Sequence, residues 1–445
     1  MAILAVAATN AQKWGEHVFS RPLRGKPAAR RSRGVAVGIV ALAASVALTA
    51  CGTSNSNASS GTSSGSGSSG GTSQDFVVGA VEPLTGVDAA AGIDIVNALK
   101  AQAEILNAKG GILGHQIKVV AVDSGSSEQQ SISATQQLVA NNKLNMFEPD
   151  VIFGQADLPF ATGLLSLAIC AAPDCGNGQK YPLEFTLNPP ASTQVPPVLA
   201  YAKQQGDTKM GIIATNDAQG QSFSQSVQSD ASAFGVQVTK VETFDPAATD
   251  ITTQMQALRA SGAQVVASWS AGTSVDAVMT AMENLGWSAK VVGTPTVFTS
   301  NVSAGVPKAV QSQLLCLCYA VGTRQGSSVV PAEAPLVSHM EKFGTIASMQ
   351  VAGLAADTLT MASYGYTKAG KLDAKAAAAA IDSIGSDASY PASSFYAYST
   401  VNPGFHGTVH SPADAKLNNG FFAVASVSPV VSGTYLGQPF SWTQP

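Results

Sequence analysis

Short apolar segments alternate with segments of helical periodicity twice along this chain, and this alternation is the strongest constraint on its fold. The apolar segments of the first series are 76–81, 117–122 and 151–153, and its helical segments are 95–106, 129–140 and 158–169. The second series has apolar segments at 210–214, 236–241, 265–268 and 291–292, and helical segments at 222–234, 251–260 and 275–285. Buried strands that alternate with helices indicate βαβ units and parallel sheets.

A proline-rich stretch at 188–197 separates the two series, and 445 residues are too many for a single core. We therefore predict an α/β fold with two doubly wound, parallel-sheet lobes. After residue 330 the order changes to helices at 348–364 and 374–384, followed by strands near 395–398 and 421–427. The chain is thus expected to cross between the lobes more than once. The predicted domains are lobe 1, residues 76–195 and about 325–395, and lobe 2, residues 196–324 and about 396–445.

The first 50 residues have the pattern of a signal peptide. Arg30, Arg31 and Arg33 precede an uncharged apolar run at 35–50. As a helix this run would rise about 24 Å, which is short of the ~30 Å hydrocarbon core, so a signal peptide is favoured over a transmembrane anchor. The run ends in Leu48-Thr-Ala-Cys51, which resembles the bacterial lipobox. That resemblance implies an acylated Cys51, export, and a lipid anchor on the outer face of the cell membrane.

Residues 51–75 are predicted to form a flexible linker. The segment 52–74 consists of Gly, Ser, Thr, Asn, Ala and Gln, so it has no charge and too little apolar surface to pack. The first 50 residues also hold seven of the 24 Lys and Arg residues but one of the 28 Asp and Glu residues. The remaining chain is acidic, which argues against a nucleic-acid partner.

Three stretches of the body carry recognisable motifs: Gly79-Ala-Val-Glu-Pro-Leu-Thr-Gly86, Ile105-Leu-Asn-Ala-Lys-Gly-Gly-Ile-Leu-Gly114 and Phe244-Asp-Pro-Ala-Ala-Thr-Asp-Ile251. They resemble the type I periplasmic binding proteins of the branched-chain amino acid (Leu/Ile/Val-binding) family. The resemblance implies a hinged clamshell whose lobes close on a small-molecule ligand. It also implies a monomer that delivers this ligand to the permease of an ABC importer.

The same resemblance places candidate ligand-binding residues in the loops that follow the strands. They are Leu84, Thr85, Gln155, Ala156, Asp157, Ala172, Gln219, Trp269, Ser270 and Thr294. Two of them have structural alternatives. Asp157 fits an N-cap of a helix beginning at Leu158-Pro159, which is the interpretation that we favour, and Trp269 fits simple packing within its lobe.

Two departures from the family concern the ligand. The loop of Asp157 lacks the Ser or Thr that usually holds a ligand carboxylate, and Gly293-Thr-Pro-Thr296 lacks the acid that usually pairs with a ligand ammonium. An unpaired buried charge is costly, so we expect no tight binding of leucine, isoleucine or valine. We expect a small polar solute that is amino-acid-like, an amide or a small organic acid.

Four cysteines remain besides Cys51. Cys170 and Cys175 flank a short loop and are predicted to form a disulfide, whereas the pairing of Cys316 and Cys318 stays open. In an extended strand these two lie about 6.5–7 Å apart, at the limit for a disulfide.

We predict no metal, no cofactor and no catalysis. His406 and His410 lie among Gly and Pro residues, which makes a shared helix improbable, and no nucleophile with a base lies outside the low-complexity linker. Two alternatives to a transport receptor stay open: a sensory lipoprotein that signals to a membrane partner, and a lipid-anchored hydrolase.

Overall fold

The computed structural model describes residues 74–320, 323–324, 334–384, 405–406, 416–417 and 422–442. The predicted signal peptide, Cys51, most of the linker, His410 and the strand predicted near 395–398 lie outside the described residues. His406 is described through its backbone alone.

The first sheet has five parallel strands in the order β2-β1-β3-β4-β5. They are β1 (Phe76–Glu82), β2 (Ile117–Asp123), β3 (Met146–Glu148), β4 (Leu165–Ala168) and β5 (Glu184–Thr186). The helices of this part of the chain are α1 (Ala89–Asn107), α2 (Glu128–Asn141) and the single turn α3 (Gly154–Asp157). A left-handed backbone at Gly110 and Gly111 follows α1 and turns the chain towards β2.

The second sheet is mixed, with the order β11-β15-β14-β10-β9-β8-β6-β7. Its strands are β6 (Lys209–Thr215), β7 (Gln237–Phe244), β8 (Val265–Trp269), β9 (Lys290–Gly293), β10 (Leu314–Tyr319), β11 (Thr323–Arg324), β14 (Phe422–Val431) and β15 (Thr434–Pro439). Strands β6 to β10 pair in parallel, and β14 adds antiparallel to β10. Two short strands, β12 (Phe405–His406) and β13 (Lys416–Leu417), pair separately. The predicted two-lobe α/β fold is confirmed, with a second sheet that is mixed: β6 to β10 are parallel, β14 is antiparallel to β10 and β15, and β11 pairs in parallel with β15.

The remaining helices lie around both sheets. They are α4 (Val195–Gln205), α5 (Ala218–Asp230), α6 (Thr252–Ala260), α7 (Ser274–Asn284), α8 (Val302–Gly305), α9 (Ala334–Met340), α10 (Met349–Ala369) and α11 (Ala374–Asp382). Helix α10 packs on the first sheet although it follows β10 of the second. Gln102 of α1 donates to the Thr360 hydroxyl (2.9 Å), and Tyr366 packs edge-on against Phe76 (5.1 Å between ring centroids).

The structure corrects three predicted elements. Residues 151–153 form a turn and the strand lies earlier, at Met146–Glu148, because Pro149 removes a ladder donor. Most of the predicted helix 158–169 is instead a 3-10 turn followed by strand β4. The residues of β4 are buried on both faces of the sheet, so apolar and polar residues do not alternate regularly along it. Without that alternation, the sequence pattern cannot distinguish a strand from a helix. Helix α4 begins inside the proline-rich stretch, where prolines fit because first-turn N–H groups have no partner within the helix.

One hydrophobic cluster runs without interruption from the first sheet into the second. It contains β1, α1 and α10 side chains, continues through α4 and α5, and includes Trp269 and Tyr319. Tyr319 also bonds two segments at which the chain passes between the lobes. Its hydroxyl donates to Asn188 Oδ1 (2.5 Å), and its N–H donates to Gln350 Oε1 (3.1 Å). The crossings are therefore part of the core.

The four described cysteines form two disulfides, Cys170–Cys175 and Cys316–Cys318. The Cα atoms of Cys316 and Cys318 are 5.1 Å apart, closer than in an extended strand, and this brings the two sulfur atoms within bonding reach. All four side chains are buried.

Candidate functional site

The carboxyl ends of strands from both sheets face a common gap between the lobes. It contains a cavity of about 350 Å³, here called the interlobe cavity, within the size range of small-molecule sites. Its described lining residues from the first lobe are Gly86, Val87, Gly125, Ser126, Glu128 and Phe153, and those from the second are Asn216, Asp217, Asp245, Pro246 and Ala247. In open α/β sheets this is the edge at which ligands bind.

The two lobes touch directly beside the interlobe cavity. Gln219 of α5 donates through Nε2 to the carbonyl oxygens of Val151 (3.0 Å) and Ile152 (2.9 Å). The N–H of Thr273 donates to the Val87 carbonyl (2.9 Å), and the neighbouring Gly272 has φ +55°. A side chain at Gly272 would collide with that carbonyl, so glycine permits the close approach. The described arrangement is a closed one.

Asp150 shapes the turn that receives Gln219. Its Oδ1 accepts the N–H groups of Ile152 (2.7 Å) and Phe153 (2.8 Å), and its other oxygen accepts the hydroxyl of Ser124. Burial raises the pKa of Asp150 above its ordinary value, against these hydrogen bonds. These hydrogen bonds within lobe 1 therefore hold the turn at residues 151–153 in place. The carbonyl groups of Val151 and Ile152 remain available to accept from the other lobe.

Asp123, at the end of β2, accepts hydrogen bonds from the loop that follows β1, here called the β1 loop. Its carboxylate accepts from Leu84 N (2.9 Å), Thr85 N (3.1 Å), Thr85 Oγ1 (2.7 Å) and Gly125 N (2.8 Å). Desolvation opposes ionisation, but these hydrogen bonds prevail and hold the pKa of Asp123 below its ordinary value. Backbone N–H and hydroxyl groups such as these could hold the carboxylate of a ligand. Here they are already bonded to the carboxylate of Asp123.

Acidic groups dominate the lobe 1 side of the gap. Glu82, Asp88, Asp150 and Asp157 are all buried, and burial raises the pKa of both Asp88 and Asp157 to about 7, with Asp150 as the next cause. Glu82 Oε1 has no hydrogen-bond partner among the described residues. Among the described residues that line the interlobe cavity, Glu128, Asp217 and Asp245 are acidic and none is Lys, Arg or His.

The comparisons with known proteins identify the family. The sequence profile described as "periplasmic binding protein" matches residues 76–407, more than half of the chain. The chain belongs to the periplasmic binding protein family.

Two relatives of this periplasmic binding protein match over shorter stretches. Leu/Ile/Val-binding protein homolog 3 of Brucella melitensis is 22% identical over 196 residues, which cover 43% of this chain and 53% of the relative. Leu/Ile/Val-binding protein homolog 2 of Brucella abortus is 34% identical over 102 residues, 22% of this chain and 28% of the relative. The matches thus span about half or less of the length of these relatives.

Solved structures of low sequence identity share the fold. A Thermotoga maritima leucine-binding protein matches with a TM-score of 0.67 and 15% identity, covering 82% of this chain and 97% of its own. A Rhodopseudomonas palustris solute-binding protein in complex with 4-hydroxybenzoate matches with a TM-score of 0.66 and 16% identity, covering 84% and 98%. The chain therefore has the two-lobe fold of type I periplasmic binding proteins, and the resemblance noted in the sequence is confirmed.

Several predicted binding residues of this periplasmic binding protein have partners within lobe 1. Leu84 and Thr85 bind Asp123 next to the cavity, and Gln155 Oε1 accepts the N–H of Asp174 (2.9 Å). Ala156 lies in α3, and Ala172 is buried beside the Cys170–Cys175 disulfide. These residues stay predictions for ligand contact.

Asp157 does not act as the N-cap that we favoured. It is the last residue of α3 and makes no capping hydrogen bond. Its oxygens instead accept from the Ser131 hydroxyl (2.8 and 2.9 Å) and from the Asp150 N–H (3.1 Å), because α2 lies close enough to supply a stronger donor. The side chain is completely buried.

In lobe 2, Gln219 donates hydrogen bonds across the gap, and the other predicted residues contact side chains of their own lobe. Trp269 packs on Phe223 (5.4 Å between ring centroids), Ser270 bonds Ser268 (3.0 Å), and Thr294 bonds Thr296 (2.9 Å). All of them are buried in the closed arrangement.

Sequence reasoning missed Asp123, Asp150, Asp217 and Asp245. Asp123 and Asp245 had a usable signal, because each is an acid at the carboxyl end of a strand that was predicted.

Neither a metal site nor a membrane span is found within the described part of the chain. No group of three or more His, Cys, Asp or Glu residues there has the arrangement of a metal site. No helix there is both long and apolar enough to span a bilayer.

Proposed function

We propose that this protein is an extracytoplasmic, lipid-anchored receptor that captures a small polar solute between its lobes, delivers it to an ABC importer and catalyses nothing. The observation that carries the proposal is the interlobe cavity, which is lined from both lobes at the carboxyl ends of their strands. Closure of such lobes around a solute is ordinary hinge motion. Family membership and the lipobox-like Leu48–Cys51 sequence support export and anchoring.

The solute that fits the interlobe cavity is neutral or cationic and rich in hydrogen-bond donors. Glu128, Asp217 and Asp245 line the cavity, and Asp123 already occupies the donors of the β1 loop. A carboxylate ligand would meet acidic neighbours without a basic partner among the described lining residues, and burial of an unpaired charge is costly. The aromatic acid and the leucine named for the structural neighbours would both bring a carboxylate here.

A thermal-shift screen tests the ligand class. We expect small amides, urea and polyamines to raise the melting temperature and benzoate to leave it unchanged, since a ligand at 100 times its Kd adds about 2.7 kcal/mol to the free energy of unfolding. Asp245→Asn should weaken the response to a polyamine, whereas the control Glu283→Gln on the exposed side of α7 should not. A response to benzoate alone would contradict the ligand class, and no response to any solute would contradict the receptor function.

Fractionation and uptake test the anchor and the importer. Cys51→Ser should release the exported protein from the membrane fraction. Deletion of the gene should abolish uptake of the solute found in the screen. A variant that stays membrane-bound would contradict the anchor, and unchanged uptake would favour a sensory role.

A further inference from the structure

A second cavity lies within lobe 1, away from the gap between the lobes. It has a volume of about 550 Å³ and lies between helix α11 and strands β4 and β5 at the edge of the first sheet. It shares no described lining residue with the interlobe cavity. Its volume is within the 300–1,000 Å³ range of small-molecule sites.

The wall of this edge cavity is mostly apolar. Leu158, Leu164, Leu183 and Ala378 contribute to the lining, and Tyr181 packs beside Leu158. The charged lining residues include exposed lysines at positions 180 and 375, and Lys180 is paired with Asp174 (2.5 Å). An apolar body therefore fits the interior, with water and charge at the mouth.

One buried carboxyl group interrupts the apolar wall. Glu184 begins β5, lies opposite Ser166 in the pairing with β4, and is 2% exposed. Its Oε2 accepts the N–H of Gly176 (2.6 Å), but its Oε1 has no hydrogen-bond partner among the described residues. A buried polar atom without a partner is destabilising, and a ligand with a matching group would satisfy it.

Burial raises the pKa of Glu184 to about 8 against the hydrogen bond from Gly176, which favours the protonated carboxyl group at neutral pH. With Oε2 accepting from Gly176, the proton belongs on Oε1 of this cavity-lining residue. A ligand hydroxyl can accept a hydrogen bond from this O–H group or donate one to the oxygen. An ammonium would have to ionise Glu184 within an apolar wall, at a desolvation cost.

We propose that the edge cavity is a second binding site, for a neutral aromatic or alicyclic molecule of about two rings whose single hydroxyl group pairs with Oε1 of Glu184. The apolar rings occupy the space between α11 and the sheet edge. The site is independent of the solute in the interlobe cavity, since the two linings are separate.

Fluorescence titration of the exported protein with 2-naphthol, and with naphthalene as the matched probe without a hydroxyl, tests this site. We expect saturable binding of both, with 2-naphthol about two- to tenfold tighter because of one net hydrogen bond. Glu184→Leu should abolish that preference and keep naphthalene binding. Glu184→Gln retains an acceptor for Gly176 and a donor for the ligand, so it should keep the preference.

Two further variants locate the probes. Ala379→Phe adds bulk at an exposed, cavity-lining position of α11 and should abolish binding of both probes even if Glu184→Leu does not fold. Glu283→Gln, on the exposed side of α7, should leave both affinities unchanged. Absence of saturable binding, unchanged binding in Ala379→Phe, or an equal preference in Glu184→Leu would overturn the proposal.

Discussion

The Nε2 atom of Gln219 lies 3.0 Å from the carbonyl oxygen of Val151, so a side chain of one lobe is bonded to the backbone of the other. The same atom reaches the Ile152 carbonyl, and Asp150 holds that turn in place. A polar contact at the edge of the interlobe cavity thus joins the two lobes in the closed arrangement.

Removal of this contact should open the lobes. Gln219→Ala deletes two hydrogen bonds worth about 1–3 kcal/mol together and removes the donor to the carbonyls of Val151 and Ile152. Small-angle X-ray scattering of the ligand-free protein should show a larger radius of gyration than wild type. Gln221→Ala is the control, because Gln221 bonds Asn216 within its own lobe (2.8 Å). Equal radii for wild type and Gln219→Ala would show that the contact does not hold the lobes together.

Branched-chain amino acids should bind weakly or not at all. The ammonium of leucine could meet Asp217 or Asp245, but its carboxylate would find the β1-loop donors occupied by Asp123. Isothermal titration calorimetry of ligand-free protein with leucine, isoleucine and valine should give no submicromolar dissociation constant. Submicromolar binding of any of the three would refute this account of the cleft.

Stability should fall as the pH rises from about 4 to about 7. Asp157 has a folded-state pKa of about 7, raised by burial and then by Asp150, so in this window the folded state holds a proton that the unfolded state has lost. Each such group lowers the free energy of unfolding by up to about 1.4 kcal/mol per pH unit. Urea unfolding of Asp157→Asn should show a shallower decline than wild type. Glu283→Gln should follow the wild-type curve, and an unchanged slope in Asp157→Asn would contradict the assignment.

The cysteines should be found as two local disulfides. No Lys or Arg lies between Cys170 and Cys175, or between Cys316 and Cys318, so each pair stays within one tryptic peptide. Non-reducing peptide mapping should show that each peptide gains two hydrogens on reduction. Loss of the first disulfide in a Cys170→Ser, Cys175→Ser double variant should lower stability by about 2 kcal/mol, as expected for a short loop. A peptide that joins Cys170 to Cys316 would contradict both pairings.

Much of the fold was predictable because local signals and tertiary packing agree. Strand β8 lies at Val265–Trp269, where the apolar segment 265–268 predicted a strand, and turns lie before and after it. Strand β4 was assigned to a helix because its residues Leu165–Ala168 are buried on both faces and show no alternation. Its identity depends on the pairing with β3 and β5, which no local sequence window contains.

The site was less predictable because its polar groups bind one another. Thr85 was chosen as a possible ligand donor, but its hydroxyl donates to Asp123, which lies 38 residues away in the sequence. The sequence shows that Thr85 follows one predicted strand and Asp123 follows another, yet only the parallel pairing of β1 with β2 brings them together. Cys316 illustrates the same limit, since its disulfide needs a Cα separation shorter than that of a regular strand.

The uninterrupted hydrophobic cluster has a consequence for how the protein denatures. Helices α4 and α5 share this cluster with β1 and α10, so loss of packing in the cluster exposes apolar surface of both lobes. The two lobes should therefore melt together as one cooperative unit. A single calorimetric transition whose van't Hoff and measured enthalpies agree is expected, and two resolved transitions would show that the lobes denature independently.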